Sequence, residues 1–359
     1  MLRLNTDITA DTVRIYGRDA VDLAVNISNL VWPDSRVFWK PGAVVLLSLN
    51  SWQDAVAGVP LQHFPNNAAL LGTEAGRLSN QTREEILRLS PTGLSPQGEV
   101  LPAQVYVVGN INRAVERSIR GLGYRPQIIT GDNPAETAAG VARMMAEQMP
   151  NPPIILVPSD APADSQPVVG LAAHGGSPIL FVERNQVPGA TTRALSDIKP
   201  TTVYIMGRDA NISVSVIAQI RELLPNAQVI RVGGSTTTDY SINVAKFLDP
   251  ERSFGWGRTK PAGDVFSFVA EDRIYQSIFA ATLSHMATHA PELIIPSQSP
   301  IPESLRQYLI SINPPMGKPP QPPFMRGWII GTTRDISVQQ QVELETLLIK
   351  EQGDWPPAP

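Results

Sequence analysis

The 359-residue sequence contains no cysteine, which excludes disulfides, thiolate metal sites and a cysteine nucleophile. That absence suits a reducing cytosol and equally an exported protein that avoids thiol chemistry. Charge is also sparse. Asp, Glu, Lys and Arg make up 17% of residues, the formal net charge is −4 and Lys and Arg are scattered singly. The clustered basic face of a nucleic-acid binder is therefore missing, and no nucleic-acid partner is expected. No apolar run reaches the ~18–20 residues that span a bilayer, so no membrane span is expected. The start, MLRLNTDITADT, lacks the basic opening and apolar core of a secretory signal. Nor does a nucleophile–base–acid set stand out. Ser235 has no histidine near it in sequence, its GGST context fails the spacing of a nucleophile elbow, and Glu136, Glu183 and Glu271 sit at non-equivalent places. The sequence predicts neither an enzyme nor a cofactor.

Proline, by contrast, is plentiful at 34 residues. Much of it lies in NPPMGKPPQPPF (313–324), expected as a long surface loop, and in the tail WPPAP (355–359), expected as an arm. What organises the rest is repetition. VYVVGN (105–110), VYIMGR (203–208) and GWIIGT (327–332) are the same short strand ending on glycine. Each is preceded by a strand, a polar loop, an amphipathic helix and a proline stop, seen in 68–91, 177–200 and 291–314. Further upstream come AVVLLSLNSWQDAVAG, PIILVPSDAPADSQPV and DVFSFVAEDRIYQSIF, and before those 13–29, 127–143 and 228–246. Continuous short apolar strands alternating with helices predict parallel sheets covered on both faces. The expected fold is α/β: three tandem α/β repeats with parallel-type sheets and flanking helices, packed as a pseudo-threefold trimer of modules. The boundaries drawn from sequence are 1–123, 124–225 and 226–350, with 351–359 as a tail.

The order of these strings resembles the cell wall-binding repeat 2 family. Its Asp-Ala helix start is matched by Asp54-Ala55. Its Ile-Leu-Leu strand is matched by Leu70-Leu71, Ile179-Leu180 and Ile294-Ile295. Val203 to Gly207 followed by Ile212-Ser213, with Ile336-Ser337, match its Val-Tyr-Ile-Leu-Gly-Gly…Ile-Ser stretch, and Gly131-Asp132 with Thr137-Ala138 match its unit opening. The resemblance runs from about residue 13 to 350. It implies a module that holds surface proteins to anionic wall polymers of Gram-positive bacteria, hence an extracellular, cell-surface location. A mature or trimmed chain would reconcile that with the signal-free start. The chain departs from the pattern where the second glycine after the main strand is Asn110, Arg208 or Thr332.

Candidate binding residues follow from the loops after the strands. Arg18-Asp19, Asp132-Asn133 and Ser235-Thr236 sit beside glycines just before helices, where ligands meet α/β folds and where turn geometry also asks for glycine. Asp54 and Asp164 precede helix-like runs and read as N-caps or as ligand contacts; Asn112, Ser213 and Ser337 read as caps. His63, His174 and His285 close the same helix in each copy, with His289 just beyond. Threefold packing would bring them to a shared axis, a metal site if three imidazoles converge, whereas a last-turn histidine also suits the helix's negative end. Trp32, Trp52, Trp256 and Trp355 would stack on sugars or fill cores. Asn26, Asn80 and Asn211 stand in glycosylation sequons.

The leading expectation is a non-catalytic surface protein whose repeats bind cell-envelope polysaccharide. The alternatives are a self-assembling layer or filament subunit, whose partner is other copies of itself, and a small-ligand receptor or enzyme using the glycine-ended loops.

Overall fold

A computed structural model describes residues 6–8, 11–33, 40–313 and 325–349. The chain opens with β1 (Thr6–Ile8), β2 (Thr12–Ile15) and α1 (Ala20–Val31). The first stretch of repeat then runs β3 (Val44–Ser48), α2 (Trp52–Gly58), β4 (Ala69–Thr73), α3 (Asn80–Leu89), β5 (Val105–Val108), α4 (Arg113–Gly121) and β6 (Pro126–Ile129). The second is α5 (Pro134–Gln148), β7 (Ile154–Pro158), α6 (Pro162–Gly175), β8 (Ile179–Val182), α7 (Gly189–Ile198), β9 (Thr202–Met206), α8 (Val214–Leu223) and β10 (Gln228–Val232). After α9 (Thr237–Lys246) and the small hairpin β11 (Leu248–Asp249) and β12 (Phe254–Gly255), the third runs β13 (Val265–Ala270), α10 (Ile274–Met286), β14 (Glu292–Ile295), α11 (Glu303–Ile312), β15 (Arg326–Ile330) and α12 (Val338–Leu348). The proline-rich loop at 314–324 and the tail from 350 lie outside the described residues.

The strands build parallel four-stranded sheets in the orders β4-β3-β5-β6, β8-β7-β9-β10 and β14-β13-β15-β2, the last extended by β1 in antiparallel pairing. β3, β7 and β9 are buried along their whole length, which is why their sequences read VVLLS, IILVP and TVYIM rather than alternating. The sheets cut across the repeats as written in sequence. β6 opens the second repeat but pairs with β5 (Val105↔Pro126), and β10 opens the third but pairs with β9 (Gln228↔Thr202). The strand with no predecessor, β2, pairs with β15 at the other end of the chain (Thr12↔Gly327, Ile15↔Ile330). Arg14, 1% exposed, secures this closure by donating from Nε to Gln341 Oε1 at 2.9 Å and from Nη1 to the Gly331 carbonyl at 3.0 Å.

The helix after each handed-over strand crosses to the next sheet. α1 packs on β4, α5 on β8 and α9 on β14. Their landing places are the Ile-Leu-Leu-like strands, so Leu70, Leu71, Ile179, Leu180, Ile294 and Ile295 are at most 2% exposed. In this chain these side chains hold seams together. At the centre α2, α6 and α10 pack on one another, and α6 and α10 are buried on nearly every side, as helices with water on no face must be. Polar braces run round this centre in one direction. Gln53 at the head of α2 donates to the Ser159 carbonyl at 3.2 Å, Gln166 of α6 to the Ala270 carbonyl at 3.0 Å, and the Tyr275 hydroxyl of α10 to the Leu49 carbonyl at 2.8 Å. Each central helix thus grips the end of the first strand of the next unit. The α/β repeat fold and its threefold packing are as expected from sequence.

Candidate functional site

Glycine at the end of the first and third main strands is required by what faces it and by its backbone. Gly109 and Gly331 have φ of +105° and +107°, and a Cβ there would fall 2.9 Å from Asp54 Cβ and 2.7 Å from Gln276 Oε1. At Gly207 the same corner is occupied by Asp164, 3.3 Å from a Cβ. Asp54, Asp164 and Gln276 are therefore one position in three units, in the first turn of the central helix.

Neither aspartate is an N-cap, which corrects the sequence expectation. Ser51 caps α2 by accepting from Asp54 N, and α6 begins at Ala161 without a side-chain cap. Asp164 instead turns into the fold, accepting from Arg208 N at 2.8 Å, Arg208 Nε at 2.6 Å and Asn211 Nδ2 at 2.8 Å. Asn112, Ser213 and Ser337 do cap α4, α8 and α12, the last in a capping box with Gln340.

The loop candidates share a second repeated corner. Asp19, Asn133 and Thr236 are the N-caps of α1, α5 and α9, and accept from Asp22 N, Glu136 N and Asp239 N. Arg18, Asp132 and Ser235 each precede one of them. All eight candidates thus lie at the carboxyl edges of the sheets. Three cavities open there. One of about 510 Å3 sits where Asp19 of α1 faces Asn50, Glu74 and Gly76 at the ends of β3 and β4. Its counterpart, about 560 Å3, lies between Ser235, Thr236 and Asp239 of the α9 start, Glu271 at the end of β13, and Arg208. At the corresponding seam before β8, Arg193 pairs with Glu136.

A larger cavity than these two, about 870 Å3, belongs to the third sheet and lies over the loops after β2, β13 and β15, at the switch point of its strand order. Arg18, Arg273 and Arg334 reach it with Asp19, Asp272 and Asp335. Arg18 bonds Asp22 through Nε at 3.2 Å, and Arg273 bonds Asp335 through Nε at 2.7 Å. Burial alone would raise the Asp335 carboxyl; the bonds from Arg273 and Thr332 outweigh it and leave it below the usual carboxylate range. Asp22 follows the same pattern, burial being outweighed by bonds from Arg18 N, Arg18 Nε and Gln81. Burial pushes the Tyr275 phenol up to about 12, so it stays a neutral donor. Gln276 Oε1 is buried at this corner without a hydrogen-bond partner.

Sequence reading missed Arg208, Arg273, Gln276, Arg334 and Asp335. Arg208 carried a signal, since it stands where the repeat pattern has a second glycine. The expected sugar-stacking tryptophans are mostly core: Trp32 and Trp256 are 4% and 7% exposed, Trp52 is half-buried edge-on to Phe181 at 6.0 Å, and Trp355 lies outside the described residues. Of the sequon asparagines, Asn26 is buried with its amide donating to the Tyr16 carbonyl, Asn211 serves Asp164, and Asn80 is exposed. His63, His174 and His285 do converge, but among the described residues no group of three or more His, Asp or Glu is placed to hold a metal ion. No helix among the described residues is long and apolar enough to cross a membrane.

The chain is 26% identical over 239 residues to N-acetylmuramoyl-L-alanine amidase LytC of Bacillus subtilis, and 25% identical over 249 residues to the amidase enhancer of the same organism. The alignments cover 66% and 68% of this chain but 43% and 31% of those proteins, so it spans less than half the length of either. Among solved structures, Cwp6 from Clostridium difficile superposes with a TM-score of 0.75 at 20% identity, covering 96% of this chain and 49% of that one. Cwp8 gives 0.68 at 19%, covering 95% and 53%. Residues 128–217, from β6 into α8, match the cell wall binding domain 2 (CWB2) family, carried here on a fold shared with Cwp6 and Cwp8.

Proposed function

We propose that this chain is a non-catalytic binding module at the cell surface that holds an anionic glycan of the cell envelope in the grooves at the carboxyl edges of its sheets. The observation that carries this reading is the match of residues 128–217 to a cell wall binding domain, in a molecule whose open cavities lie over the helix starts of α1 and α9 and over the third sheet's switch point. Backbone N–H groups at helix starts favour anionic groups, and guanidiniums add directional donors. Arg18, Arg334 and Arg208 would supply those donors, and Asp19, Asn133, Ser235 and Thr236 would hydrogen-bond sugar hydroxyls. The part shared with the two amidase-related proteins would then be their wall-binding portion rather than the part that cleaves.

Sedimentation with purified Gram-positive walls tests this. The protein is expected to co-sediment with intact walls and to stay in solution with walls stripped of their anionic polymers. Arg18→Ala with Arg334→Ala is expected to weaken binding about tenfold, as for loss of charge-assisted contacts. Equal binding to stripped walls would overturn the polymer reading, and no binding to either would overturn the module reading.

A further inference from the structure

Four imidazoles, the whole histidine complement of the chain, meet where the three units join. His63 comes from the end of the 3-10 turn after α2, His174 from the last turn of α6, His285 from the last turn of α10, and His289 from the segment beyond it. The rings of His63 and His285 are 4.8 Å apart, those of His174 and His289 4.8 Å, and those of His174 and His285 6.5 Å. Trp256 stacks flat on His174 at 4.7 Å. We propose that this cluster is an acid-sensitive clasp, which closes the threefold junction while its imidazoles are neutral and opens it when they take up protons.

Two observations favour the neutral form. His174 Nδ1 and His289 Nδ1 stand 3.1 Å apart, so one must donate and the other accept. Protonating the acceptor turns the bond into two facing N–H groups. His285 has both ring nitrogens buried without a hydrogen-bond partner. As an imidazolium it would carry a buried charge with no acceptor. The charged neighbours offer no relief. His285 feels His63, His174 and His289, and His174 feels His289, His63 and Arg258, whose guanidinium bonds the His289 carbonyl at 3.1 Å and pairs with Asp264 at 2.8 Å. The carboxyls of the helices themselves, Asp54 and Asp164, stand in the first turns of α2 and α6, at the opposite end from the histidines. Glu292 of β14 is buried against Gly170 of α6, and burial raises its carboxyl well above the usual range, which disfavours the charged form.

Burial first, then the neighbouring histidines, hold His174 down to about 4 and His285 down to about 3, and burial also lowers His63. An unfolded histidine titrates near ~6.5. As pH falls below that, the unfolded chain binds protons the folded one refuses. The clasp's contribution is therefore complete above about pH 6.5 and is lost progressively down to pH 4 and 3. This holds whatever the grooves bind.

The test is thermal unfolding of the whole chain between pH 7.5 and 4.5 at fixed ionic strength, with hydrogen exchange at both ends of the range. The midpoint is expected to fall by roughly 5 °C, with protection lost first in residues 59–63, 162–175 and 274–289. His285→Gln with His174→Gln is expected to flatten the profile below pH 6.5, where acid titration of surface carboxylates leaves it unchanged. A parallel profile in that variant would overturn the proposal. Should the variant not fold, imidazole resonances of the wild-type chain decide: His174 and His285 titrating near 6.5 sink the idea, and titration two or more pH units lower sustains it. His289→Asn, at the exposed end of the cluster, is expected to shift the His174 titration upward.

Discussion

The same corner is built in two ways in the second and third units. In the second, Asp164 is a buried carboxylate that takes three hydrogen bonds from Arg208 and Asn211 and ties the loop after β9 to the head of α6. In the third, Gln276 stands in its place with Oε1 unpartnered, the arginine of the helix start, Arg273, turns to Asp335, and a cavity of about 870 Å3 lies alongside. Each side chain faces the glycine that ends the neighbouring main strand, although only Gly331 of the two has a positive φ, +107°. With an amide in place of the carboxylate, the ion pair between the same two segments runs the other way, from Arg273 at the helix start to Asp335 in the loop after β15, and the corner is left open. Duplication supplied the fold three times, and small changes of charge in the first turn of a helix decide which copy has room for a ligand.

The comparison can be broken most severely at the closure unique to the third unit. Arg14→Ala removes a buried charge that bonds Gln341 and Gly331, and is expected to cost about 4 kcal/mol in chemical denaturation. A loss below 1 kcal/mol would mean that the β2–β15 pairing stands without it. Next, Asp164→Gln gives the second unit the side chain of the third. It strands Arg208 and is expected to cost about 3 kcal/mol, with faster hydrogen exchange in the loop after β9. An unchanged loop would show that Asn211 and Ile212 hold it alone. The reciprocal change, Gln276→Asp, offers Arg273 a second carboxylate. It is expected to alter stability by less than about 1 kcal/mol while reducing wall binding through partial closure of the cavity. Undiminished binding would move the ligand to the seams at α1 and α9.

Much of this architecture was legible because repetition turns local signals into a pattern. The glycine after each strand, the caps Asn112, Ser213 and Ser337, and the convergence of His63, His174 and His285 all follow from equivalent places in three copies. What stayed hidden depends on pairing across the chain. Nothing in TVRI says that it lies beside RGWII more than three hundred residues later, because parallel pairing leaves no local mark, and Arg14 reads as a surface residue until that partner is known. Asp54 and Asp164 looked like caps because a helix start predicts one, yet Ser51 holds that place in α2, and the inward turn of Asp164 is fixed by Arg208. Trp32 and Trp256 were ambiguous for the same reason, since an aromatic suits both a core and a sugar.

The handing of a strand from one unit to the next has a consequence for the size of the object. A unit that lends its opening strand backwards and waits for another from ahead has no natural end, and copies of it could be added indefinitely, each leaving an open sheet edge. Here β2 fills the edge left by β15 and the series stops at three. Segment 12–15 closes the series by pairing with the last main strand. Freed of that segment, β15 would present an open strand edge in the third sheet.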